Sequence, residues 1–253
     1  PDAGGDTRVA RAGVSLPERA VAAMKSTFWK HNVLEAAPEL DVSLRIGGQP
    51  VEATGTWFAR DVTSDDGAWH TGLGRLHPMW RLTGAWPAES SQGIALGRAL
   101  ALTLHASVGD SLRLDAVGGH ALVQVTTLVE AGGLDDLRAW LPLPLAQALA
   151  KRLGELDRVA VSALVKTEPD AAVPDAGRDP KGYERYMCTA YPANVAGDLA
   201  QALPGTEVVP MTELVAGEAG VVRRLHLLML LLAAAALTAS TLGLLSTTTA
   251  TVA

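Results

Sequence analysis

From Leu225 to Ala253 the chain runs 29 residues without a single Asp, Glu, Lys or Arg, and every formal charge lies before it. A helix rises about 1.5 Å per residue, so roughly 20 apolar residues cross a hydrocarbon core. The run predicts a transmembrane helix over 225–253, its apolar part reaching to about Thr247. A buried core helix or a removable anchor signal are the other readings of such a segment. Ala236 with Ser240, and Ala239 with Gly243, place small residues four apart, which lets a neighbouring helix approach closely. Pro1 to Thr7 carries no apolar region of the signal-peptide kind. The expectation is an extramembrane domain with one of the helices that carry it, cut from a longer protein.

The preceding residues read as a folded domain. Hydrophobic residues make up 48% of the chain and charged ones 19%, enough to bury a core. The net charge of -6 argues against a nucleic-acid partner, because phosphate binding needs a basic face. Cys188 is the single cysteine, which excludes a disulfide framework and a multi-cysteine zinc site.

Ser15-Leu-Pro-Glu18 has capping-box spacing and predicts a helix carrying Val21, Met24 and Phe28. Val42, Leu44 and Ile46 alternate as a strand, Gly47-Gly48 turns the chain, and a second strand follows near Val51 to Phe58. Residues 61–92 read as loop-rich, with Trp69, Trp80 and Trp86 predicting core or an interface. Ile94 to His105 reads as a helix. Leu112 and Leu114, then Ala121, Val123 and Val125, alternate about Gly118-Gly119 as a hairpin. A helix is expected from Leu145 to Gly154, a strand over Val159 to Val165, and a mobile surface loop over 168–182. A helix from Asn194 to Leu203 and a strand from Glu207 to Val209 complete the domain. Thr212 can cap a stalk helix over 212–224 that continues into the membrane run, a rod of about 40 residues.

Motifs of enzyme chemistry are missing. There is no phosphate loop, no Gly-x-Ser-x-Gly elbow and no His-Glu-x-x-His helix. Gly72-Leu-Gly74 is followed by His77 where a dinucleotide fingerprint needs glycine. The histidines at 31, 70, 77, 105, 120 and 226 form no pair at ligand spacing on a predicted helix. No catalytic residue and no cofactor site is therefore expected. Met187 and Cys188, with Tyr183, Tyr186 and Tyr191 nearby, are candidate soft-metal ligands, since two sulfurs suit copper(I) if a histidine comes close. The competing reading is that Cys188 is a small buried apolar residue and the tyrosines are packing. His70 and His77 flank the Trp-rich loop as either metal ligands or solvated side chains.

Three stretches resemble the FtsX-like permeases, membrane subunits of ABC transporters of the MacB and LolC type. They are Leu96 through Val108-Gly-Asp110 to Leu114, the join from Glu207-Val-Val-Pro210 through Glu218-Ala-Gly220 to Leu225, and Leu237 to Thr251 with Leu242-Gly-Leu-Leu-Ser-Thr247. Phe28-Trp-Lys-His-Asn32, Ala37-Pro38, Gly55-Thr-Trp-Phe58, Trp80 to Pro87 and Tyr186-Met-Cys-Thr-Ala-Tyr191 resemble most the permeases that accompany bacterial periplasmic iron-transport proteins. The resemblance implies an α/β (α+β) MacB-like periplasmic domain over 23–211 with a β-rich lobe inserted at about 94–129. It also implies a linker over 1–22 leading from a preceding membrane helix. Further implications are a bacterial inner-membrane location with the domain in the periplasm, and ATP bound by a separate ABC ATPase subunit. A second permease copy and a periplasmic substrate-binding or accessory protein are implied partners. Iron or metal uptake is the implied role, with lipoprotein or drug export and a metal- or substrate-binding module as alternatives. Arg223 and Arg224 flank the run on its periplasmic side, against the positive-inside tendency, which long translocated domains escape.

Overall fold

The computed structural model describes residues 3–11, 15–64, 67–169, 172–210 and Met229. The chain divides into two compact units, Pro1–Pro210 and Met211–Ala253. The expected stalk and membrane helix thus lie outside the described residues, apart from the exposed Met229. Among the described residues no helix is long and apolar enough to cross a membrane.

The first unit is α+β. In chain order its elements are β1 (Ala3–Arg11), β2 (Leu16–Pro17), α1 (Ala20–Ala23), β3 (Val33–Ile46), β4 (Gln49–Thr56), β5 (Arg60–Ser64) and β6 (Gly67–Thr71). Next come α2 (Leu73–Leu76), β7 (Arg81–Gly84), β8 (Gly93–Gly97), α3 (Arg98–Leu104), β9 (Ser111–Ala116), β10 (Gly119–Glu130) and β11 (Ala139–Pro142). The last are α4 (Leu143–Ala150), β12 (Glu155–Leu156), β13 (Arg158–Val165), α5 (Pro180–Met187), α6 (Pro192–Ala202) and β14 (Thr206–Pro210).

The long strand β3 joins two halves of one sheet. On one side it leads through β13 and β1 to β14, all antiparallel. On the other it pairs with β4, and the ladder continues through β11, β8 and β10 to β9. Strand β9 then pairs back onto the far end of β3, Ile46 against Leu114, so these six strands close a ring. Closure leaves the short strand β7, paired to the last residues of β10, as the open edge of that half. Residues 94–129 are β-rich, and their strands belong to this ring.

The alternation of Val42, Leu44 and Ile46 puts all three side chains into the interior, where Val51, Ala53, Leu114, Val123 and Val125 meet them. Gly47 and Gly48 turn the chain at φ of 58° and 84°, a backbone region that favours glycine. Helix α4 lays Leu143, Ala146 and Leu149 on the same cluster. It starts two residues before the expected position, with Pro144 in its first turn, where a missing N–H costs nothing.

Three expectations are corrected. Ile94–Leu96 is strand, and the helix begins only at Arg98. Ile94 and Leu96 enter the interior cluster while Ala95 enters a second one on the opposite face. A strand covered on both faces carries no alternation, so its apolar run imitates a helix. Residues 61–92, read as loop-rich, form the β5–β6 hairpin, whose Val62 and Trp69 join the interior cluster, the exposed strand β7, and α2, whose Leu73 and Leu76 join the second cluster. There Phe58 stacks on Trp86 at 5.1 Å, and Trp80 packs between His77 and the buried Trp140. Finally, the expected linker 1–22 is built into the domain: β1 lies between β13 and β14, and Leu16–Pro17 pairs with Glu155–Leu156. Ser15 consequently caps nothing, α1 begins at Ala20, and Glu18 makes a 2.9 Å ion pair with Arg60.

Glu89 latches the Trp-rich segment. One carboxylate oxygen accepts the Phe58 and Ala59 amides at 2.6 and 3.2 Å, and the other is buried without a hydrogen-bond partner among the described residues. Burial pushes this carboxyl above its ordinary value despite the two amides. The native state therefore holds the proton more tightly than the unfolded chain. Stability is lost as pH rises from the ordinary carboxylate range through the raised value. Glu89→Gln is expected to flatten this dependence in unfolding curves between about pH 4 and pH 7. An unchanged slope would assign it to another group.

Candidate functional site

Two of the sequence stretches singled out above, 28–32 and 186–191, meet in space. The turn before β3 lies against α5 and α6, and Phe28, Trp29, Met187, Asn194, Gly197 and Asp198 line a shallow cleft between them. Each wall is built for rigidity. Trp29 donates its amide to the Asp198 carboxylate at 2.8 Å, and Asn32 donates its side-chain amide to the Leu164 carbonyl at 2.8 Å. Lys25 reaches back to the carbonyls of Lys30 and Val33 at 3.0 and 2.6 Å, with its ammonium 4.6 Å from the centre of the Trp69 ring. That is cation–π geometry on top of two charge-assisted hydrogen bonds.

On the other wall, Asp179 caps α5 by accepting the Gly182 amide at 2.9 Å, so helix begins inside the segment read as loop over 168–182. Asn194, in the first turn of α6, donates to the carbonyls of Tyr186 and Thr189 at 2.7 and 2.9 Å, which satisfies the open end of α5. Tyr186 is buried, packs on Tyr191 at 4.9 Å and donates its hydroxyl to Glu168. That hydrogen bond, with burial, pushes the Tyr186 hydroxyl up to about 12. It stays protonated at neutral pH and acts as a fixed donor.

Met187 and Cys188 stand at the C-terminal end of α5. Met187 is partly exposed in the cleft, and Cys188 is an exposed thiol whose amide bonds the Glu184 carbonyl. The reading of Cys188 as a buried apolar residue is thereby corrected. The tyrosines divide: Tyr186 is packing, while Tyr183 is partly exposed. Among the described residues no three His, Cys, Asp or Glu side chains gather as a metal-sized group. His70 pairs with Asp61 across the β5–β6 hairpin, and His77 stacks on Trp80 at 4.2 Å.

Phe28, with 73% of its surface exposed, is the most exposed large apolar side chain of the cleft, and it is held on an ordered turn. Asp198 and Lys25, which fix that turn, left no local signal in the sequence. The Trp29–Asp198 bond spans 169 positions.

No family model matches this chain. No curated protein matches it either. Among solved structures it is similar to the periplasmic region of MacB from Actinobacillus actinomycetemcomitans, at 8% identity and a TM-score of 0.49, covering 85% of this chain and 92% of that one. It is also similar to the extracellular domain of the noncanonic ABC-type transporter YknZ from Gram-positive bacteria, at 10% identity and a TM-score of 0.47, covering 81% and 99%.

Proposed function

We propose that this chain is the extracytoplasmic domain and second membrane helix of an ABC transporter permease. In this reading it is a non-catalytic subunit that passes conformational change from a separate cytoplasmic ATPase to the domain. The observation that carries the reading is where the chain enters and leaves the sheet. Strand β1 runs antiparallel to both β13 and β14, with Ala3 opposite Val165 and Thr7 opposite Pro210. The start of β1 at Ala3 and the end of β14 at Pro210 therefore point to the same end of the sheet. A domain held between two membrane helices needs its two ends together on one side. The charge-free run beginning 15 residues after Pro210 supplies the outgoing helix.

Metal uptake is the substrate class we favour, on the sequence resemblance at 28–32 and 186–191. Met187 and Cys188 at the cleft are the residues of this chain suited to a soft ion, with further ligands supplied by a second copy or a periplasmic partner.

The exposed thiol of Cys188 makes the location testable. In cells with an opened outer membrane, any cysteines elsewhere in the protein having been replaced, a membrane-impermeant maleimide is expected to label Cys188. Labelling only after lysis of the inner membrane would place the domain in the cytoplasm and overturn the permease reading.

A further inference from the structure

The lining of the cleft between the 28–32 turn and helices α5 and α6 holds one formal charge, the Asp198 carboxylate, and no cation. One oxygen of that carboxylate accepts the Trp29 amide at 2.8 Å; the other has no hydrogen-bond partner among the described residues. Asn194 donates through its side-chain nitrogen to the carbonyls of Tyr186 and Thr189, which leaves its side-chain oxygen as an acceptor. Lys25 does not line the cleft, its ammonium being held by the carbonyls of Lys30 and Val33.

The apolar side of the same cleft is aromatic. Phe28 and Trp29 meet edge-on at 4.9 Å, across from the partly exposed Met187. Phe28 gains little for folding at 73% exposure, yet its turn is fixed by Lys25, Asp198 and Asn32, so covering it requires no ordering of the backbone. Nothing stands within 4 Å of where a Cβ on Gly197 would sit, so the α6 side is open. At about 280 Å³ the cleft is smaller than the pockets of roughly 300–1,000 Å³ that enclose small-molecule ligands, and it suits a single side chain.

Aromatic rings beside an unshared carboxylate oxygen select an organic cation. A neutral apolar side chain would strip water from the Asp198 and Asn194 oxygens and return no hydrogen bond. A guanidinium is flat and weakly hydrated, stacks on a ring and donates several N–H groups in one plane, whereas an ammonium is a strongly hydrated point charge. We propose that this cleft is a docking site for an arginine side chain of a partner protein, the guanidinium lying against Phe28 and Trp29 and donating to the free Asp198 oxygen and the Asn194 side-chain oxygen. The inference stands on the cleft alone and is independent of the permease reading. It gives a partner an anchor beside the sulfurs of Met187 and Cys188.

The test exploits the two phenylalanines of the sequence, Phe28 in the cleft and the buried Phe58. The full chain in mild detergent, labelled biosynthetically with fluorophenylalanine, gives one fluorine resonance at the cleft and one internal control, assigned with Phe28→Leu. The probe is N-acetyl-arginine methylamide, and N-acetyl-norleucine methylamide is its uncharged counterpart. The arginine probe is expected to move the Phe28 resonance saturably and leave Phe58 in place, with the norleucine probe about tenfold weaker or worse. Asp198→Asn keeps an oxygen for the Trp29 amide but loses the charge, and is expected to weaken binding about tenfold, the worth of one hydrogen bond to a charged group. Gly197→Leu fills the open side of the cleft and is expected to abolish the response. No saturable movement of the Phe28 resonance overturns the proposal. So does an equal response to both probes, which would make the cleft an apolar surface without charge selection, or an undiminished response in Asp198→Asn. Equal movement of both resonances overturns it too, as binding away from the cleft. None of these outcomes bears on the location of the domain, which labelling of Cys188 reads separately.

Discussion

Replacing Arg158 by Met is expected to destabilise the first unit by about 3 kcal/mol at neutral pH, with the deficit shrinking in acid. Arg158 lies on β13 and reaches across to β3, its Nε 2.5 Å from Glu39 and its two terminal nitrogens 2.5 and 3.0 Å from Asp41. The Arg158 and Glu39 side chains are only 18% and 12% exposed, whereas Asp41 is 44% exposed. Losing the guanidinium strands the Glu39 carboxylate in a largely buried position, which costs more than the net worth of the pair. Burial alone would push the Asp41 carboxyl up; the hydrogen bond and charge of Arg158 outweigh it and hold the carboxyl below its ordinary value. Such a group adds stability above its unfolded value, about 3.9, and loses it as pH falls through the depressed folded one. The wild-type advantage is thus complete at neutral pH and declines below about pH 4. All six tryptophans lie between positions 29 and 140, so urea unfolding followed by their fluorescence reports this unit alone. A difference between wild type and variant that is equally large at both ends of the pH range would show that Asp41 plays no part.

How legible this was depended on the distance over which each interaction acts. The β3–β4 and β9–β10 hairpins were readable because each is written within about 25 residues as alternation around glycine. Helix α6 and strand β13 were readable for the same reason. Strand β8 was not, because burial on both faces erases the period that separates strand from helix. The N-terminal strand was hidden differently. Ala3–Arg11 is rich in glycine and charge, poor in strand formers, and held by backbone pairing on both sides. At the candidate site, the sulfurs of Met187 and Cys188 stood out by residue type alone. Residues 28–32 stood out only by resemblance, and their place opposite the sulfurs was not readable, because it depends on Asp198 and Leu164, more than a hundred residues away. The ring of six strands could not have been read locally at all, since its closing rung joins Ile46 to Leu114.

Gly55 shows how a residue quoted for its family likeness turns out to be a packing constraint. It sits in β4 beneath α4, and a Cβ built there would fall 2.1 Å from the Cβ of Ala146. Carbon atoms rest near 3.5–4.0 Å, so Gly55→Ala must lift α4 off the sheet by roughly 1.5 Å. The helix cannot yield freely, because Leu143, Ala146 and Leu149 are packed into the interior cluster. The expected cost is about 3 kcal/mol, at the upper end for an added methyl group in a filled core. Ala146→Gly alone should cost about 1 kcal/mol, mainly from helix propensity. If contact between these two carbons is the whole cause, the double variant should lose about 1 kcal/mol, where simple addition would give about 4, since residues in contact do not add. Tryptophan fluorescence in urea measures all three. An additive double variant would mean that Gly55 is required by its own backbone or by the strand, and that the seat of α4 has been misassigned.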